Sequence, residues 1–433
     1  MRFWAVGVAI FLCSVALGNG DALPGELKES VDRFVEKLRS DDWAERKKAA
    51  QGLLGLVRKN LSHAKPLGRY LKHLLEKEKD AEVKKYLRMA CELCPDVDIS
   101  KALGLGVKWL LRNRKAGGFW DTKVAGFRVG VAGLALRALV GVVEIGGGDL
   151  DMKVGADDIV AVVKFLLKNA DKQGFIGRQM GVDEWFYNHI LATEALSELL
   201  VAAKSSESVR KLVPKRVLGE VREVMHRAVK KLLEAQNRGA GWRYGIRGGD
   251  SDTSLTSWAV LALRAAEKAG FKIPKTAYKG AQDWFNRCYN PNDGHYGYQS
   301  RFDRGAVIPG INDRYRRLPT MTAAALAALL SMDARVAGEE KSAALLMRSL
   351  PVYEEKEDPD HLAVDMYYWL RGTEAMRLYG GKEWLKWRKA VVSALTKMQR
   401  KDGCFPAVGK WGMVGGDAYS TATALLILLK VIK

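Results

Sequence analysis

The chain has 433 residues, 48% of them hydrophobic and 28% charged, which is enough to bury a large core and more than one domain usually needs, so a disordered chain is excluded and a second module is expected. Its 70 Lys and Arg against 50 Asp and Glu give a net charge of +20. That balance speaks for solubility and weak contact with anionic surfaces, not for a specific partner, and no nucleic-acid motif accompanies it.

In chain order, the first predicted element is a secretory signal over residues 1–18. Arg2 precedes an apolar run from Trp4 to Leu17 and a small-residue exit at Ala16-Leu17-Gly18, the layout of a cleavable export signal and too short for a comfortable membrane span. Export to the periplasm, cell envelope or exterior is the expectation. Residues 26–98 form the next module, in which Asp42-Trp43-Ala44-Glu45 is echoed by Asp80-Ala81-Glu82-Val83. That offset is close to the period of HEAT-type helix pairs, with an Asp poised to cap each second helix. Such a pair predicts a face for a protein partner. Cys91 and Cys94 are spaced like a redox pair or half a zinc site, but no second pair or His group completes a metal site, so helix-end thiols are expected, with a local disulfide as the rival.

From 101 to 433 one pattern recurs. Glycine-rich turns at Gly117-Gly118-Phe119-Trp120, Gln173-Gly174-Phe175, Gln236 to Tyr244, Asp293-Gly294-His295-Tyr296 and Asp402-Gly403-Cys404-Phe405 each follow one helix and precede another rich in Ala, Leu, Ser and Thr. A further turn, Tyr353 to His361, lacks the glycines. The small-residue helices fall at Val129–Val140, His189–Leu200, Ser254–Ala266, Met321–Leu330, Met366–Tyr379 and Tyr419–Val431. Six pairs with irregular spacing predict a closed all-α ring of inner and outer helices in preference to an open solenoid.

The segment Gln236 to Ala266 carries the resemblance. A Gln ending a helix, a Gly-Trp turn and a Thr/Ser-rich helix start closely resemble the repeats of squalene/hopene cyclases and protein prenyltransferase β-subunits. Tyr367-Tyr368-Trp369 with Gly372-Thr373-Glu374 is similar to exported bacterial squalene-cyclase-like repeat proteins. The resemblance implies an α/α toroid over 101–433. It is nearly silent on reaction, since fold does not carry function.

Two sets of candidate site residues follow. Asp250-Ser251-Asp252-Thr253 resembles the Asp-x-Asp-Asp-Thr of class II terpene cyclases, in which a carboxylic acid donates its proton to an alkene facing aromatic rings. In either register at least one carboxylate is missing, and Asp252 before an apolar run also reads as a helix cap. Asp250 and Asp252 are therefore the catalytic candidates. Trp185, Tyr187, His189, Trp242, Tyr367, Tyr368, Trp369 and Trp411 lie at turns or inner-helix starts, where a ring's central cavity opens to a hydrophobic or carbohydrate ligand. For Trp120 and Trp242 the simpler reading is a brace whose indole N–H bonds a freed carbonyl. Three consecutive aromatics cannot share one helix face, so at least one of Tyr367, Tyr368 and Trp369 should point inward. Cys288, His295 and His361 follow no ligand spacing, and no metal or cofactor is expected. His189 and Arg314/Tyr315 supply the residue types of a polysaccharide lyase without a motif. The leading expectation is an exported, non-catalytic or ligand-binding toroid; the alternatives are a terpene-cyclase-like enzyme acting on an isoprenoid and a polysaccharide-processing toroid.

Overall fold

The computed structural model describes residues 23–60, 63–94, 99–145, 154–178, 184–303, 318–334, 336, 338–354 and 363–432. The signal segment, Arg314/Tyr315 and His361 lie outside them. Every regular element among the described residues is helical, and β-pairing is confined to isolated bridges. The chain divides into two units, Met1–Asp96 and Val97–Lys433.

In the first unit, α1 (Gly25–Lys37) packs on α2 (Trp43–Lys59) and α3 (Ala64–Lys77) on α4 (Ala81–Leu93), and α2 meets α4. Asp42 caps α2 by accepting from the Ala44 N–H, and Asp80 caps α4 by accepting from the Glu82 and Val83 N–H groups. Cys91 is half-buried and Cys94 buried.

The second unit alternates outer and inner helices. The outer ones are α5 (Ile99–Asn113), α7 (Ala156–Lys168), α10 (Lys215–Glu234), α12 (Lys275–Cys288), α14 (Glu339–Met347) and α16 (Gly381–Met398). The inner ones are α6 (Arg128–Glu144), α8 (Phe186–Ser205), α11 (Thr253–Lys268), α13 (Thr320–Ser331), α15 (Met366–Tyr379) and α17 (Gly412–Ile432). A short α9 (Glu207–Leu212) links α8 to α10. Each inner helix packs on the next, and α17 returns to α6, so six inner helices close a ring. The first outer helix, α5, covers the last inner one, α17. The structure is an α/α toroid.

Composition explains which helices lie inside. The inner helices are small and apolar nearly all round: in α13 every residue from Thr320 to Leu329 is buried, as expected of a helix walled on both faces. The outer helices bury one stripe, as Val217, Val221, Met225, Ala228 and Leu232 do in α10. Two inner segments, Ala125–Glu144 and Gly412–Ile432, are long and apolar enough to cross a membrane, but 83% and 78% of their apolar windows are buried within the fold.

The turns lock each unit to its neighbour. Gly118 has φ of +82° and a Cβ there would stand 2.1 Å from the Ala161 carbonyl oxygen of α7; Gly403, at +96°, is equally close to the Leu105 carbonyl of α5. Only glycine meets both demands. Gln236 donates from Nε2 to the carbonyls of Ala240 in its own turn, at 2.9 Å, and Ala277 on α12, at 2.8 Å. Gln399 repeats this with Gly403 and with Ala102 on α5. Trp120 Nε1 donates to the Leu110 carbonyl at 2.8 Å and Trp242 Nε1 to Leu232 at 2.7 Å. The two indole bonds satisfy carbonyls freed at the C-terminal ends of outer helices.

Candidate functional site

The starts of the inner helices gather the candidate residues on one mouth of the ring. Asp252 is the N-cap of α11: Oδ1 accepts from the Leu255 N–H at 2.7 Å, its backbone N–H donates to the Trp242 carbonyl, and the side chain is fully buried. Among the described residues Oδ2 has no hydrogen-bond partner, and Arg243 Nε lies 3.8 Å from it. Burial pushes the Asp252 carboxyl up to about 7, against the Leu255 N–H, Tyr298 and Arg243, which hold it down. Asp250, by contrast, is exposed and ion-paired with Arg243. The two aspartates thus share one guanidinium, one dry and one in solvent.

A chain of hydroxyls runs inward from this cap. The Tyr244 and Tyr298 hydroxyls are 3.0 Å apart, and Tyr187 OH lies 3.0 Å from Ser254 Oγ. Ser254 Oγ donates to Tyr367 OH at 3.2 Å, and Ser257 Oγ lies 3.3 Å from the same hydroxyl. Tyr367 also stacks on Trp258, with centroids 5.3 Å apart and planes 12° from parallel. Tyr367 belongs to α15 and Trp258 to α11, which are separated in the ring by α13. The alanine-rich α13 leaves the room for these side chains to meet.

Deeper in the ring the aromatic set gives way to buried charge. The Arg371 guanidinium lies 3.4 Å over the Trp258 ring and pairs with Glu374 at 2.5 Å, and Glu374 pairs with Lys430 of α17 at 3.0 Å. Arg137 of α6 is bonded to Glu194 at 2.9 Å and to both oxygens of Glu198 at 2.8 and 2.9 Å on α8. Burial raises the Glu194 carboxyl to about 7 despite Arg137 and Arg371. Burial acts on Glu374 too, but Arg371 and Lys430 outweigh it and hold the carboxyl at about 2. Apart from Glu374, noted only within the Gly372-Thr373-Glu374 motif, these charged groups went unremarked in the sequence. Their signal was there: single charges inside otherwise apolar helices, as in Leu136-Arg137-Ala138 and Ala192-Thr193-Glu194-Ala195.

The remaining candidates are dispersed. The His189 ring is fully buried between Phe175 and Phe186, and Nδ1 accepts from the Ile176 N–H at 3.1 Å. Burial lowers its pKa to about 4, so the neutral imidazole is an acceptor in a turn. It stands where Thr256, Thr322 and Thr421 accept from Trp242, Tyr296 and Phe405. The Trp242 ring is fully enclosed and bonded, which takes it out of the ligand-facing set. Tyr368 points the other way from Tyr367, donating to the Ser349 carbonyl and meeting Trp387 edge-on. Trp369 is fully buried. Trp185 is half-buried against Phe175 and Phe186, and Trp411 half-buried beside Lys410. Of the nominated residues, the mouth therefore joins Asp252, Tyr187 and Tyr367. Tyr244, Tyr298, Arg243, Ser254 and Ser257 join them there without having been nominated.

The fold and this mouth define the class as an α/α toroid with a polar, tyrosine-lined entrance. No family model matches the chain, and no curated protein matches it. Among solved structures it is similar to the type II terpene cyclase MstE from Scytonema with the product merosterolic acid A, at 12% identity and a TM-score of 0.47, over 77% of this chain and 97% of that one. MstE with its substrate geranylgeranyl dihydroxybenzoate gives 14% and 0.46 over the same shares. A protein from Actinoplanes gives 15% and 0.41, over 78% and 100%. At such identities and scores, neither the ring nor its chemistry rests on these neighbours.

Proposed function

We propose that this chain is a non-catalytic binding toroid, exported to the cell envelope, whose mouth takes a polar, ring-bearing ligand of the carbohydrate class. The observation behind the reading is the state of the lumen. A cyclase needs a dry, apolar chamber beneath its acid, whereas here α11 and α15 meet through Trp258, Tyr367 and Arg371, and charged groups lie below. Tyrosines that offer both a ring face and a hydroxyl suit sugar rings. The first unit supplies a helical face that we assign to a protein partner.

One observation favours the second reading, an isoprenoid cyclase: the Asp252 carboxyl is buried, raised to about 7 and free at Oδ2, which is the condition of a general acid near neutral pH. Both readings meet one experiment. Purified protein is titrated with a panel of neutral oligosaccharides by tyrosine and tryptophan fluorescence, and separately incubated with squalene and shorter polyprenyl substrates. Saturable saccharide binding, weakened about fivefold or more by Tyr367→Phe, is expected. A cyclic product formed by the wild type and lost in Asp252→Asn would overturn the binding reading.

A further inference from the structure

Outside the mouth, the same Gly-rich turn forms a second feature. Residues 237–251 and the face of α12 enclose an open cleft of about 670 Å³ whose lining includes Arg238, Arg247, Arg287, Trp284, Asp250 and Gln299. Among the described residues the one carboxylate in that lining, Asp250, is already paired with Arg243. None of the three guanidinium groups lining the cleft forms a close ion pair among the described residues, and only Arg247 acts on a nearby carboxylate, that of Glu234.

Each arginine is held differently. Arg287 donates to the Gly239 carbonyl at 3.0 Å and lies 5.4 Å over the Trp284 ring, which fixes its plane. Arg247 donates from Nε to the Glu234 carbonyl at 2.9 Å, and its backbone N–H donates to Ala235. Its φ is +51°, in the left-handed region that non-glycine residues rarely enter. Such strain persists only where the surroundings impose it. Arg238 is exposed and makes no hydrogen bond or ion pair among the described residues. Two anchored forks and one free one, beside an indole, form an arrangement for an anion carried on a ring.

We infer that this cleft is a binding site for an anionic saccharide, a carboxylated pyranose chain whose carboxylates engage Arg238, Arg247 and Arg287 while a sugar ring lies against Trp284. The inference rests on the binding reading in one respect, that the ligand is a saccharide, and it adds the charge and the place. Arg243, which holds Asp250 at the cleft edge and approaches Asp252 at the mouth, connects the two sites.

The test is calorimetric titration of the full chain with a tri-galacturonate, a neutral trisaccharide and inorganic sulfate. The uronate should bind at least tenfold tighter than the neutral sugar, with affinity falling as salt rises. Arg238→Gln, which breaks no contact within the fold, should weaken uronate about tenfold and leave neutral-sugar binding unchanged. Tyr367→Phe should leave uronate binding at the cleft intact. Uronate affinity unmoved by Arg238→Gln but lowered by Tyr367→Phe would place the saccharide in the mouth alone and overturn the inference. Sulfate binding as tightly as the uronate would overturn its saccharide half, and no binding of either sugar would overturn the binding reading itself.

Discussion

At the scale of single residues, Asp252 carries the sharpest consequence. Its carboxyl is buried and raised to about 7, above the value of about 3.9 for an unfolded aspartate. The folded chain keeps the proton while the unfolded one loses it, so this group's contribution is full below pH 4 and is lost as pH rises to 7. A shift of this size corresponds to about 4 kcal/mol across that window. Asparagine retains the capping oxygen and has no charge to bury. Asp252→Asn should therefore fold with little loss at pH 4 and gain on the wild type steadily up to pH 8, as read from guanidinium unfolding at each pH. A constant difference across the range would show that the carboxyl is ionised in the fold. The cap was legible from a Ser/Thr/Asp cluster before an apolar run. The carboxyl's environment was not, because it depends on Arg243, Tyr298 and the ring around them. His189 makes the same point: a lone histidine at a helix start suggests chemistry, yet here its ring replaces the threonine hydroxyl of the other repeats.

At the scale of elements, the turns were the most readable part of the chain because their physics is local. A left-handed glycine, a Gln and an aromatic residue within a few positions prescribe a helix end and a restart. Their partners across the unit boundary, Ala277 for Gln236 and Ala102 for Gln399, lie 41 and 297 residues away and cannot be read from spacing. Trp242→Ala tests the brace. The ring is fully buried and its N–H caps Leu232, so truncation leaves a large cavity and an unsatisfied carbonyl. A loss of about 3–5 kcal/mol is expected. A melting temperature unchanged from wild type would mean that the ring is not part of the core and would return Trp242 to the ligand-facing set.

At the scale of the whole molecule, ring closure joins residues that the sequence keeps farthest apart: α17 meets α6 and is covered by α5. Six helix pairs implied a closed ring, but nothing in the sequence said what would fill it. The filling is electrostatic. Arg371 is wholly buried, its Nε and one terminal nitrogen have no hydrogen-bond partner, and it is held by Trp258 and Glu374. Removing one member of a buried pair strands the other charge, typically at 3–5 kcal/mol, whereas replacing both with apolar groups is often neutral. Arg371→Met alone should therefore destabilise the toroid strongly. It should also raise the Glu374 carboxyl, because Arg371 is the largest of the influences holding it near 2; the stability that this group loses as pH falls from about 4 towards 2 would then shrink. Arg371→Met combined with Glu374→Leu should recover most of the loss, since Lys430 is partly exposed and reaches water. Unfolding of both variants by denaturant measures the coupling, and strictly additive losses would show that the pair is not a unit. The double variant also bears on function: it removes the Arg371–Glu374 pair from the lumen while leaving Arg137, Glu194, Asp252 and the mouth tyrosines in place. If the Arg371–Glu374 pair is what keeps an isoprenoid out, this variant should take up a fluorescent polyprenyl probe that the wild type refuses, and equal refusal by both would show that this pair is not the barrier.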